Sequence, residues 1–133
     1  MEIILSLHSI VRWLIIIVAL VTIIKFWIGW RSGQTFSSLD RGLSSGFTGL
    51  IDLQLLLGLI YLLWSGLGAG AGFPSFRIEH MVLMLIAAVV AHLAVLWKKS
   101  EDKIRFRNSF FIVVDTLIII LLGLALLPGG LSR

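Results

Sequence analysis

The chain has 133 residues, 59% of them hydrophobic and only 14% charged, with a mean hydropathy of +1.07. Soluble domains carry roughly 45–50% apolar and 25% charged residues, so this composition excludes a water-soluble globule, intrinsic disorder and collagen-like repeats; it describes one small integral membrane domain over 1–133. Eleven Lys and Arg against seven Asp and Glu give a net charge of +4, which in so apolar a chain reads as a set of topology signals rather than a nucleic-acid surface, and the lack of cysteine excludes disulfides, a thiolate nucleophile and haem attached through a Cys pair.

A helix that crosses a bilayer needs about 20 mostly apolar residues. In chain order the stretches 5–30, 43–67, 78–97 and 110–127 meet that requirement or nearly do. The first does not read as a cleavable signal, because its apolar run is too long, carries Arg12 and Lys25, and is followed by no small-residue cleavage site. Segment 31–42 joins the first two spans, the Gly-rich 68–77 with its Phe73-Pro74 pair turns into the third, a charged loop covers 98–108, and 128–130 stops the last. Connections this short force neighbours to run antiparallel, which predicts an all-α, up-down-up-down four-helix transmembrane bundle.

Orientation follows from the basic residues. The first and third connections share a side and hold Arg31, Arg41, Lys98, Lys99, Lys103, Arg105 and Arg107, whereas the other side holds Arg77, Arg133 and, near the boundary, Arg12. The positive-inside rule therefore predicts a multi-pass protein with both termini outside, N-out and C-out. Trp13, Trp27, Trp30, Trp64 and Trp97 fall near span ends, as an interfacial aromatic belt requires.

Ionisable residues within spans are costly and therefore mark candidate sites. By depth they sort into two layers. The outer layer has His8 and Arg12 on one face of the first helix, with Arg77, Glu79 and His80 opening the third. Histidines at one level on alternate helices are what a bis-imidazole haem needs, and Arg12 or Arg77 would then meet its propionates. Met81 and Met84 are alternative soft ligands. The competing reading is two solvated interfacial histidines, and the two weigh about equally for each residue taken alone.

The inner layer comprises Lys25, Asp52, His92 and Asp115, one per helix and each roughly 9–12 Å into its span at 1.5 Å per residue, with Thr48, Gln54 and Thr116 near the same level. These four predict a buried polar network, acting as a proton relay, as the polar end of a quinone-like site, or as a structural clasp with Lys25 snorkelling. His80 and His92 cannot share a haem, since twelve residues separate them by about 18 Å along the helix and about 120° around it. At most one haem is expected. The small residues around Gly42, Gly46 and Gly49 read as a packing seam. The alternating glycines 66–72 are not a nucleotide loop, for no strand precedes them, and no nucleophile–base–acid set or zinc-type spacing occurs.

Segments 7–13 (Leu-His-Ser-Ile-Val-Arg-Trp), 52–61 (Asp-Leu-Gln-Leu-Leu-Leu-Gly-Leu-Ile-Tyr) and 79–84 (Glu-His-Met-Val-Leu-Met) together resemble small four-helix bacterial membrane proteins labelled "cytochrome B". The resemblance spans most of the chain and implies a b-type haem protein of the bacterial inner (cytoplasmic) membrane, with His8 and His80 at the matching positions. The chain departs from that pattern at Asp52, where a histidine commonly precedes the Leu-Gln pair, so no ligand is implied on the second helix. The first expectation is thus haem-mediated electron transfer near the outer face, with His8, His80, Arg12, Arg77 and Met84 around haem b and a quinone as a further candidate ligand. The second is a haem-free accessory subunit of a larger respiratory or photosynthetic complex, bound to other membrane subunits. A third is a proton or small-solute conduit through Asp52, His92 and Asp115.

Overall fold

The structure is a computed structural model that describes residues 2–68, 70 and 72–130. Arg133, counted above with the outer side, lies outside the described residues. Helix α1 covers Glu2–Ser32 and α2 covers Ser38–Leu63, continuing as a π-helical turn over Trp64–Gly68. Helix α3 covers Ser75–His92 and tightens into a 3-10 turn over Leu93–Trp97, and α4 covers Asp102–Ala125. Each of the four is long and apolar enough to cross a membrane, and together they form a four-helix bundle. The chain is a multi-pass membrane protein.

Helix α1 packs along α2 and α4, and α3 along α4 and α2, so α1 and α3 oppose each other across the diagonal; the α2–α3 seam is the least closely packed of the four. The buried stripe of α1 runs Val11, Ile15, Ala19, Thr22, Phe26 and Gly29, the three- and four-residue spacing of a single helical face. It meets Phe47 and Ile51 of α2, Ala87, Ala88 and Ala91 of α3, and Val113 and Ile120 of α4. The opposite faces are apolar too: Ile17, Ile24, Val89, Leu96, Ile118 and Leu122 are all exposed. A helix that is apolar all round belongs in protein or lipid, not at a water boundary.

All four helices begin earlier than the apolar runs alone imply, α4 by the most. Residues 102–109 join α4 because Phe106 and Ser109 are buried there, and Phe106 packs into the space left by Gly29, where a Cβ would run into its ring. Phe26, Phe36 and Phe106 make a separate aromatic core at this end, with the Arg105 guanidinium 3.9 Å from the centre of the Phe36 ring. Trp27, Trp30, Phe110 and Phe111 cluster beside it on α1 and α4, and Arg31 lies over both tryptophans, the amphipathic rim expected of a membrane–water boundary.

Lys25 takes part in this end of the bundle. Its Nζ donates to Asp40 Oδ1 at 2.8 Å and to Gln34 Oε1 at 3.0 Å. Asp40 is fully buried, and its Oδ2 accepts from the Ser37 amide at 2.9 Å and the Ser37 hydroxyl at 3.0 Å. The carboxylate thus caps the start of α2 and ties the 33–37 connection to α1.

Candidate functional site

At the end of the bundle opposite the Lys25–Asp40 clasp, all four helices surround a cavity of about 370 Å³, within the range of small-molecule and cofactor sites. Each helix presents one face to it: His8, Arg12 and Ile15 from α1, and Arg77, His80, Met84 and Ala87 from α3, at the i, i+3, i+4, i+7 spacing that keeps side chains on one side of a helix. Ile51, Gln54, Gly58 and Tyr61 line it from α2, and Ile120 and Leu124 from α4. The five residues expected to surround a cofactor, His8, Arg12, Arg77, His80 and Met84, therefore share one cavity, and the two histidines enter it from diagonal helices. The His8 ring lies within electrostatic reach of His80 and Arg12.

Each imidazole is held by a neighbouring helix. His80 Nδ1 lies 2.9 Å from the Gly123 carbonyl of α4. A carbonyl only accepts, so Nδ1 carries the proton and Nε2 of the neutral ring carries the lone pair. A Cβ at Gly123 would displace the Met84 methyl, the flexible end of that side chain, and stand 3.5 Å from His80 Nδ1. Between the neighbours α1 and α2, Gln54 Nε2 donates to the His8 backbone carbonyl at 2.8 Å and lies 3.3 Å from His8 Nδ1. Gly58 makes room for the far side of this ring: a Cβ there would stand 3.2 Å from His8 Nε2. Gln54 Oε1 is buried and has no hydrogen-bond partner among the described residues, a costly state for an amide oxygen. With that amide donating at Nδ1, the neutral His8 ring carries its proton on Nε2.

The cavity is electrically one-sided. Two guanidiniums line it and, among the described residues, no carboxylate does. Arg12 is 8% exposed and stacks beside Trp13. Arg77 Nη1 donates to Ser65 Oγ at 2.7 Å, with the guanidinium 5.5 Å from the centre of the Tyr61 ring. Ser65 stands in the π-helical turn, a device found mostly at functional sites, and is buried. Gly66 in the same turn lies against Phe73, whose ring would be struck by any Cβ there, so the outer connection folds down over this end. Among the described residues no three of His, Cys, Asp or Glu gather as a metal cluster; the cavity offers two imidazoles and the thioethers of Met81 and Met84.

The four residues expected to share an inner network separate into three places. Asp52 and His92 meet, with His92 Nε2 at 2.9 and 3.1 Å from the two carboxylate oxygens. Their side chains are nonetheless 51% and 57% exposed, on the outside of the α2–α3 seam. Lys25 instead pairs with Asp40, as described above. Asp115 faces outward from α4 and has no hydrogen-bond or ion-pair partner among the described residues. Gln54, expected near that level, belongs to the outer cavity, while the Thr116 and Thr48 hydroxyls bond back to carbonyls of their own helices. Gly58, Gly123 and Ser65 are the site residues that reasoning from charge and depth passes over, and Gln54 is the one it assigns to the other layer.

No protein-family model matches the chain, and neither does any curated protein or any solved structure.

Proposed function

We propose that the chain is a b-type haem protein of a bacterial inner membrane that passes electrons near its outer face, in line with its resemblance to the small "cytochrome B" proteins. The observation that carries this reading is the outer cavity, where imidazoles from diagonal helices share one apolar chamber with two guanidiniums. Haem iron, when held there, supplies one-electron chemistry whose potential depends on axial ligands, burial and hydrogen bonding.

The residues present fit such a group. His80 is set by the Gly123 carbonyl in the tautomer that a ligand needs, which is the usual outer support of a ligating imidazole. Ligation by His8 would require its proton on Nδ1, with the Gln54 amide donating to the His8 carbonyl alone. Arg12 and Arg77 supply positive charge for two carboxylates, with Arg77 held in place by Ser65 and Tyr61. Met84, Ile51, Ile120 and Leu124 supply apolar walls that keep water off the ring.

A second reading, a haem-free accessory subunit of a larger membrane complex, draws support from Asp52, His92 and Asp115. Ionisable groups on the outside of spans are better covered by protein than by lipid. A conduit through these three has less to stand on, since Asp115 is not joined to the other two.

The visible spectrum of detergent-purified protein separates these readings. A Soret band that shifts on reduction, moves from low-spin to high-spin or disappears in His8→Ala and His80→Ala, and stays unchanged in His92→Ala is the expected result. A colourless protein that co-purifies with fixed partners after expression with haem supplied would overturn the haem reading and favour the accessory subunit.

A further inference from the structure

On the membrane-facing side of the α2–α3 seam, away from the outer cavity, lies a shallow groove of about 440 Å³. Leu55, Leu85, Ala88, Val89, Leu93 and Leu96 line it, and His92 is its one polar lining residue among the described residues. His92 sits where α3 tightens from α-helix to 3-10 turn, with the Leu93 amide bonded to the Val90 carbonyl. We infer that this groove binds a lipid-soluble quinone or quinol, its ring against the leucines and its oxygen on the His92–Asp52 pair.

Asp52 lies fourteen residues into α2, about 21 Å from its start at 1.5 Å per residue. His92 lies five residues before Trp97, the end of its span, roughly 10 Å at the 2.0 Å rise of a 3-10 turn, so both stand within apolar spans that lipid bathes. His92 Nε2 is occupied by Asp52, and more than half of each side chain is open to the outside. The His92 Nδ1 and the remaining carboxylate lone pairs therefore require a hydrogen-bonding partner that arrives through hydrocarbon. A phospholipid headgroup does not qualify, since its phosphate belongs at the interface and would meet the carboxylate of Asp52. A quinone has the matching chemistry. Its ring is flat and apolar, its tail partitions into lipid, and its oxygen accepts as carbonyl or donates as hydroxyl. An imidazole backed by a carboxylate serves both, donating from Nδ1–H when protonated and accepting at Nδ1 when neutral.

The groove stands as a binding site whatever the outer cavity holds. The two are nevertheless close, because Leu55 lines both. Leu55 is thus a wall common to both.

The test uses the full chain in phosphatidylcholine nanodiscs with a photoreactive azido-quinone, the labelled peptides being mapped by mass spectrometry. Label is expected on residues 85–96, displaced by excess decylubiquinone. It should fall at least tenfold in His92→Leu and in Val89→Phe, a filling of the groove at an exposed position that leaves folding intact. Asp115→Asn, on another helix, should label as the parent does. Absence of label on α3 in the parent protein, or equal labelling in His92→Leu and Val89→Phe, would overturn the inference. So would efficient disulfide cross-linking between Val89→Cys copies in the same discs, which would show that a second copy covers the groove.

Discussion

Replacing Lys25 by methionine keeps the length and the apolar stem of the side chain and removes only the ammonium that faces Asp40. The carboxylate it leaves behind is fully buried and retains two hydrogen bonds, both from Ser37. Breaking one side of a buried pair costs about 3–5 kcal/mol. Because the Lys25 side chain is 26% exposed, water already screens part of the attraction, and the lower end, about 3 kcal/mol, applies. Asp40→Asn removes the charge but keeps an acceptor for Ser37, so the double variant should recover at least about 1.5 kcal/mol relative to the sum of the single changes. Equilibrium unfolding in mixed detergent micelles, followed by helical circular dichroism, measures all four corners of the cycle. A loss below about 1 kcal/mol in Lys25→Met, or strict additivity, would refute the view that this pair locks the 33–37 connection onto α1.

Reporter fusions behind residue 133 should behave as exported and fusions near residue 100 as cytoplasmic, given the seven basic residues in the first and third connections; the opposite pattern would exchange the inner and outer ends. The Asp52→Ala/His92→Ala cycle should show coupling of about 1 kcal/mol or less, the scale of interhelical hydrogen bonds in membranes, since the pair is more than half exposed; a coupling of several kcal/mol would mean that the pair is buried by something. Gly29→Ala should cost about 1–3 kcal/mol through forced overpacking, because its Cβ meets the buried Phe106 ring, whereas Gly123→Ala should cost less, because its Cβ meets the flexible end of Met84. Equal losses in thermal unfolding would contradict that distinction.

The architecture was readable because four long apolar runs and short connections leave few arrangements of an antiparallel bundle. The outer site was readable for a related reason: His8 and Arg12, like Arg77, His80 and Met84, repeat at helical spacing on one face each, and the helix ends that set their depth are near at hand. Counting failed further in. Depth for Asp115 counts from the loop that ends at residue 108, but α4 begins at Asp102, which puts Asp115 about 20 Å from the helix start at 1.5 Å per residue. Its direction was also illegible, since a helix that is apolar on every face gives no sign of which side is buried. Lys25 was matched with acids in the spans, yet its partner Asp40 sits in the first turn of α2, where polar residues do not stand out. Gln54, Gly58 and Gly123 carry no charge, and their importance lies in what they leave open or satisfy on another helix.

The π-helical turn at Trp64–Gly68 gives the outer end a dependence on helix winding. A π turn amounts to one residue inserted into an α-helix, and one residue is about 100° of rotation. Deleting a residue there would close the wide turn to a regular one and leave the positions beyond it in phase, whereas winding the same residues as regular helix would swing those positions by over a quarter-turn. Ser65 would leave Arg77, and the glycine that receives Phe73 would point elsewhere, without any change in side-chain chemistry. In this bundle the placement of a cation at the cavity rim is therefore set by how five residues at the end of α2 are wound, and a change that favours regular helix there would retune it without touching the cation.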